Sequence, residues 1–121
     1  MTTKAAIALL AAVNVPAGTT RAAPVASSAI DTRTHAGGDL AIKITNGASA
    51  PTVAPTVVVQ ISHDGSDWTD YHTITGDLVN SSVTHSVPWI DQGIMFVQVI
   101  AYGNATNAVS VRAYLHAITA P

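Results

Sequence analysis

The sequence contains no cysteine and no glutamate, and only five Lys or Arg side chains among its 121 residues. The missing cysteines exclude a disulfide framework, a thiol nucleophile and a thiolate metal site. Stability must then come from packing, hydrogen bonding and association with neighbours. All seven acidic residues are Asp, and charged residues make up 10% of the chain, against about 25% in an average soluble protein. Glu, Lys and Arg are the residues that fill solvated helix faces, so their scarcity argues against long surface helices. Five scattered cations make neither the basic stripe of a nucleic-acid binder nor a polybasic membrane signal. The net charge of −2 steers no partner, and the expectation is no nucleic acid and no membrane. A surface this poor in charge is neutral and adhesive, which favours contact with other subunits.

What the chain has is Ala, Thr, Val and Ser in alternating patterns, the mark of short half-buried strands. Leu40, Ile42 and Ile44 alternate with Ala41, Lys43 and Thr45 before the turn dipeptide Asn46-Gly47. Val57, Val59 and Ile61 share a face, the run Asp64-Gly65-Ser66-Asp67 signals a hairpin, and Trp68 opens a partner strand to about Ile74. Ser81 to Val87 reads as a strand stopped by Pro88. Met95, Val97, Val99 and Ala101 form one strong face; Val109, Val111, Ala113, Leu115 and Ala117 form another. Between these two strands lies the polar loop Gly103 to Asn107. Val25 to Asp31 supplies an earlier strand, and Pro51 to Pro55 a loop, since proline donates no ladder hydrogen bond. Seven or eight strands at this spacing predict an all-β antiparallel sandwich, jelly-roll or immunoglobulin-like in order, with a closed small barrel as the rival. Leu40–Ile44 and Met95–Ala101 are expected at its centre.

Lys4 followed by the apolar run Ala5 to Val13 has the outline of a short signal peptide, too short to span a membrane. Residues 1–24, punctuated by Pro16, Gly18 and Pro24, are read instead as an extended N-terminal arm of the working protein. A short strand or helical turn is expected near Ile7 to Val13. Residues 25–121 are the sandwich domain. Ile7, Leu9, Leu10 and Val13 must be buried somewhere, either on the chain's own domain or on a neighbour, and in the second case they are the contacts of the arm with its partner.

No catalytic constellation stands out. There is no G-x-S-x-G elbow, and Gly37-Gly38 lacks the lysine and helix of a phosphate loop. Asp64, Asp67 and Asp70 offer the hard oxygens that Ca²⁺ takes, but the twelve-residue loop is not closed by a carboxylate, so a tight turn is the expectation. His63, His72 and His85 have no local zinc spacing, and strand parity sends His116 outward with Ser110, Arg112 and Tyr114. No cofactor, no metal and no enzyme activity is expected. Trp68, Tyr71 and Trp89 could stack on sugar rings if exposed, or plug the ends of a core. Asn80-Ser-Ser and Asn104-Ala-Thr match the glycosylation pattern.

The run VVVQISHDGSDW, Val57 to Trp68, resembles the strand–turn–strand of β-sandwich modules in phage virion proteins and in discoidin-like sugar-binding domains. Taken with the closing hairpin Ile94 to Ile118 and the Cys-free, Glu-free composition, the chain resembles a decoration (cement) protein of a tailed-bacteriophage head. That resemblance implies a structural virion protein on the capsid surface, bridging capsomers, with the major capsid protein and other copies of itself as partners. Two other readings are a carbohydrate-binding or adhesive module using Trp68, Tyr71 or Trp89, and a phage tail or tube component.

Overall fold

Alternation of apolar and polar residues becomes alternation of inside and outside. A computed structural model describes residues 3–16, 18–49, 51, 53–103, 107 and 109–120. Ten strands form among them: β1 (Thr3–Val15), β2 (Val25–Ala26), β3 (Ile30–Asp31), β4 (Gly38–Asn46), β5 (Thr56–Ser62), β6 (Thr69–Thr75), β7 (Val83–Ser86), β8 (Trp89–Ile90), β9 (Phe96–Tyr102) and β10 (Val109–Ala120). Every pairing is antiparallel. The first sheet runs β1-β10-β4-β7, with β8 also on β4; the second runs β2-β9-β5-β6, with β3 also on β9. The two inner faces make the core of a sandwich, so the all-β expectation holds.

The order of pairing resolves the topology. β5 pairs with β6, β4 with β7 and β8, β9 with β2 and β3, and β10 with β1. These pairs are nested, like one long hairpin rolled up from its β5–β6 tip. Taking β2/β3 and β7/β8 each as one interrupted strand leaves the eight strands of a jelly roll. The expected strand over Val25–Asp31 is broken into two short pieces. Pro88 separates β7 from β8, as its missing N–H requires.

The core consists of Leu40, Ile42 and Ile44 of β4, Val57 and Val59 of β5, Val97, Val99 and Ala101 of β9, and alternate residues of β10 from Val109 to Ala117. β4 and β9, expected at the centre, are interior strands. Met95 departs from its expected face: it precedes β9 and is exposed. The Gly37-Gly38 pair has a packing role. A side chain on Gly38 would run into the backbone of His116 and Ala117, and one on Gly37 into the carbonyl of Ile90. Gly37 also has φ near +79°, which only glycine adopts without strain.

The N-terminal segment is where the sequence reading needs correction. Residues 3–15 are not an arm beside the sandwich but an edge strand within it, paired with β10 from Thr3↔Ala120 to Val15↔Val109. Register shifts between Ala8 and Leu10 and between Leu10 and Val13 bend this strand. The bulging lets Leu9 and Leu10, neighbours in sequence, both be buried, which a strict period of two forbids. Ile7 and Val13 pack half-buried against the same core. Of the four side chains expected as partner contacts, Leu9 and Leu10 are buried in the chain's own core and Ile7 and Val13 pack partly buried against it.

Candidate functional site

Of the three aromatic side chains with stacking potential, the structure joins two. Tyr71 on β6 and Trp89 on β8 are 42% and 50% exposed, and the Tyr71 hydroxyl donates to the Trp89 carbonyl at 2.9 Å. The bond ties an edge of the second sheet to an edge of the first. Trp68 is half-buried and takes no part in it. The Trp89 ring lies against Gly37, where an added Cβ would come within 3.3 Å of its Cζ2, so the missing side chain at Gly37 makes room for the indole. Deeper along the same seam, His72 Nε2 and Ser86 Oγ are 3.0 Å apart, a second polar link between the sheets.

The first sheet, which carries Trp89 on β8, also holds a wider surface on its outer face. Strand register sets its layout. Arg112, Lys43 and His85 form one row across β10, β4 and β7. His116, Asp39 and Trp89 form another across β10, β4 and β8. Between the rows, Tyr114 lies opposite Ala41. The small Ala41 leaves a gap, and the result is an open trough of about 280 Å³ lined by Ala41, Lys43, His85, Val87, Arg112 and Tyr114, with Ile42 and His116. The Arg112 guanidinium sits over the Tyr114 ring at 4.4 Å, a cation–π contact that holds the two side chains against each other.

Two of the other three cations, Arg21 and Arg33, are neutralised, whereas Lys4 is exposed on β1 without a salt bridge to a described residue. Arg21 grips both carboxylate oxygens of Asp70 at 2.9 and 2.8 Å, and Arg33 is paired with Asp31 at 2.7 Å. On the outer face of the second sheet, Gln98 donates to Gln60 at 2.8 Å and Gln60 to Asp70 at 3.0 Å. The Gln60 amide, and after it Arg21, hold Asp70 below the usual carboxylate range. That network is closed upon itself. Lys43 and Arg112 have no carboxylate partner among the described residues.

The aspartate cluster resolves into a turn and an ion pair. Asp64 accepts from the amides of Ser66 and Asp67 at 2.8 and 2.9 Å and from the Ser62 hydroxyl at 2.9 Å. Those bonds, the Asp67 and Ser66 amides foremost, pull its carboxyl down to about 2. Among the described residues no group of three or more His, Cys, Asp or Glu side chains is placed to hold a metal ion. His72 turns toward Ser86 while His85 lies in the outer row, so the histidines do not converge. Asn80 is exposed; the Asn104-Ala-Thr sequon and the middle of the Gly103–Asn107 loop fall outside the described residues.

Sequence reasoning placed His116 with Arg112 and Tyr114 on one outward face of β10, and the structure agrees. It missed the partners of that face, Lys43 and His85. Strand parity gives which face a residue takes, but the register that aligns residues 112, 43 and 85 has no local signal.

No family model matches the chain, and no curated protein matches it. Solved structures share its fold at very low identity. The family 29 carbohydrate binding module CBM29_1 from Piromyces equi superposes with a TM-score of 0.54 at 9% identity, over 96% of this chain and 91% of that one. The K3 cleaved adhesin domain of Lys-gingipain from Porphyromonas gingivalis w83 superposes with a TM-score of 0.52 at 10% identity. There the match takes in 76% of this chain, which spans only 62% of the length of that adhesin domain. What these likenesses establish is the β-sandwich.

Proposed function

We propose that this chain is a carbohydrate-binding or adhesive module whose ligand lies along the outer face of the first sheet. One observation carries the reading: Trp89 stands half-exposed, its backbone fixed by Tyr71, on the same sheet as an open trough with Tyr114 among its lining residues. A rigid aromatic on a packed scaffold offers a large contact area at little cost in conformational entropy. The C–H faces of a sugar ring suit such a surface, and the trough is of a size for a small ligand or a short stretch of polymer. The fold shared with a carbohydrate binding module and an adhesin domain is consistent with this reading. The activity is binding rather than chemistry. A glycan array checks it: Trp89→Ala should abolish the signal seen with the native chain, while the circular dichroism spectrum and melting temperature stay close to native. An array on which both proteins bind one glycan equally well would rule out this face.

A second reading has its own observation. Leu78 and Val79, with Val83 and Val87, are exposed along β7 and the segment before it, at 44–62% of their surface. An aliphatic strip of this kind suits a protein neighbour. In that reading the chain is a structural virion protein, decorating a capsid and touching the major capsid protein or further copies of itself. Stoichiometric recovery with an icosahedral particle, lost in a Val79→Ser/Val87→Ser variant, is the expected result; a native chain that sediments free of particles would dismiss it.

A further inference from the structure

The trough brings together two cations that no carboxylate among the described residues neutralises. Arg112 and Lys43 are directly opposite on β10 and β4, a placement in which like charges repel and cost stability. Asp39, the acidic residue on the same face of β4, lies four residues from Lys43, about 13 Å along the strand. At that distance, beyond the ~8 Å Debye length of physiological salt, its charge is largely screened. The contrast with the other two arginines is direct: Arg21 and Arg33 each hold a carboxylate in two-point contact. His85 at the end of the cation row and His116 beside Tyr114 add ring N–H donors around the same hollow. The aromatic row with Trp89 lies on the other side of Ala41.

We infer that the ligand of this trough is an anionic saccharide, bearing carboxylate or sulfate groups. Its charged group sits between Arg112 and Lys43, and its sugar ring extends over Ala41 toward Trp89. An anion between the two cations turns their mutual repulsion into attraction. The ~13 Å from the cation row to the tryptophan row is the reach of a short oligosaccharide rather than of a single ring. Arg112, already flattened on Tyr114, presents the remaining edge of its guanidinium to an oxyanion in the two-point geometry that favours arginine over lysine. This inference rests on the carbohydrate-binding reading and narrows it.

Titration calorimetry with four probes tests both and tells them apart: dextran sulfate, oligogalacturonate, neutral dextran and poly-aspartate. The expected result is binding of at least one charged saccharide, no binding of dextran, and a loss of affinity of tenfold or more for Arg112→Gln and for Lys43→Gln. Affinity should also fall as salt is raised, because screening weakens the charge pairs. Both side chains are on the outer face, so the variants should melt within a few degrees of native, and a Lys43→Arg variant should retain binding. Equal binding of neutral dextran and the charged saccharides would overturn the anionic inference and leave the sugar-binding reading standing. No binding of any saccharide would overturn both, and binding of poly-aspartate alone would replace the saccharide with an acidic protein.

Discussion

Asp64 shows how a single exposed carboxylate shapes the β5–β6 turn. It draws in two backbone amides and a hydroxyl while Gly65 takes the positive φ of +80°. The carboxyl is depressed from 3.8 to about 2 in the folded chain, so its contribution is fully present above the unfolded value. It is lost as pH falls through about 2. Asp64→Asn should therefore lower the melting temperature at pH 5 to 6, with the gap between native and variant closing as pH falls from 4 toward 2. Parallel melting curves for the two proteins across that range would show that the turn draws nothing from the charge. Asp31, depressed to about 2 mainly by the Arg33 side chain, acts in the same direction, which makes the acid limb of native stability a sum over several turns.

At the scale of elements, β1 is the strand that most needs a test, because its sequence suggests an attachment and its pairing makes it structural. Leu10 is 3% exposed within the core cluster. Leu10→Ala should cost about 2–5 kcal/mol in urea unfolding, the usual range for emptying a buried leucine site. Deleting residues 3–15 should leave a chain without cooperative unfolding, since β10 would lose one of its two partner strands along its whole length. A deletion variant that melted sharply near the native temperature would restore the idea of a detachable arm. The reason β1 was hard to read is physical. Strands β4 and β10 keep a clean alternation, β5 and β9 depart from it where Val58 and Ile100 are buried as well, and all four are legible from their apolar residues alone. The bulges in β1 place Leu9 and Leu10 inside together, which from sequence reads as an unpatterned apolar run. The site was legible to a smaller degree. Tyr71 and Trp89 stood out as aromatics in a chain with few, but their hydrogen bond joins two sheet edges whose proximity depends on the finished sandwich. Lys43 was read only as the polar half of a strand, because its neighbours in space come from residues 85 and 112.

For the molecule as a whole, nested pairing makes nearly every contact non-local. Only β5 and β6 are joined by a short turn; the pairing of β1 with β10 must close a loop of almost the entire chain. Such topologies fold in milliseconds to seconds. Stopped-flow fluorescence of the two tryptophans should show folding on that timescale. Leu10→Ala should speed unfolding more than it slows folding, because the outermost pair adds its contacts late. If the variant instead slowed folding by the full change in stability, β1 would belong to the nucleus.

The same nesting sets how the protein bears load. Thr3 faces Ala120 across the ladder, so the two ends of the described chain leave from one corner. A force pulling those ends apart meets one pair of backbone hydrogen bonds at a time and peels β1 from β10 like a zipper. A force entering at Arg112 and Tyr114, and leaving at the C-terminal end of β10, runs along a single strand. It then loads the ladders with β1 and β4 together, in shear. Tethered by its C-terminal end, the module resists as a block; stretched between both ends, it opens from the seam.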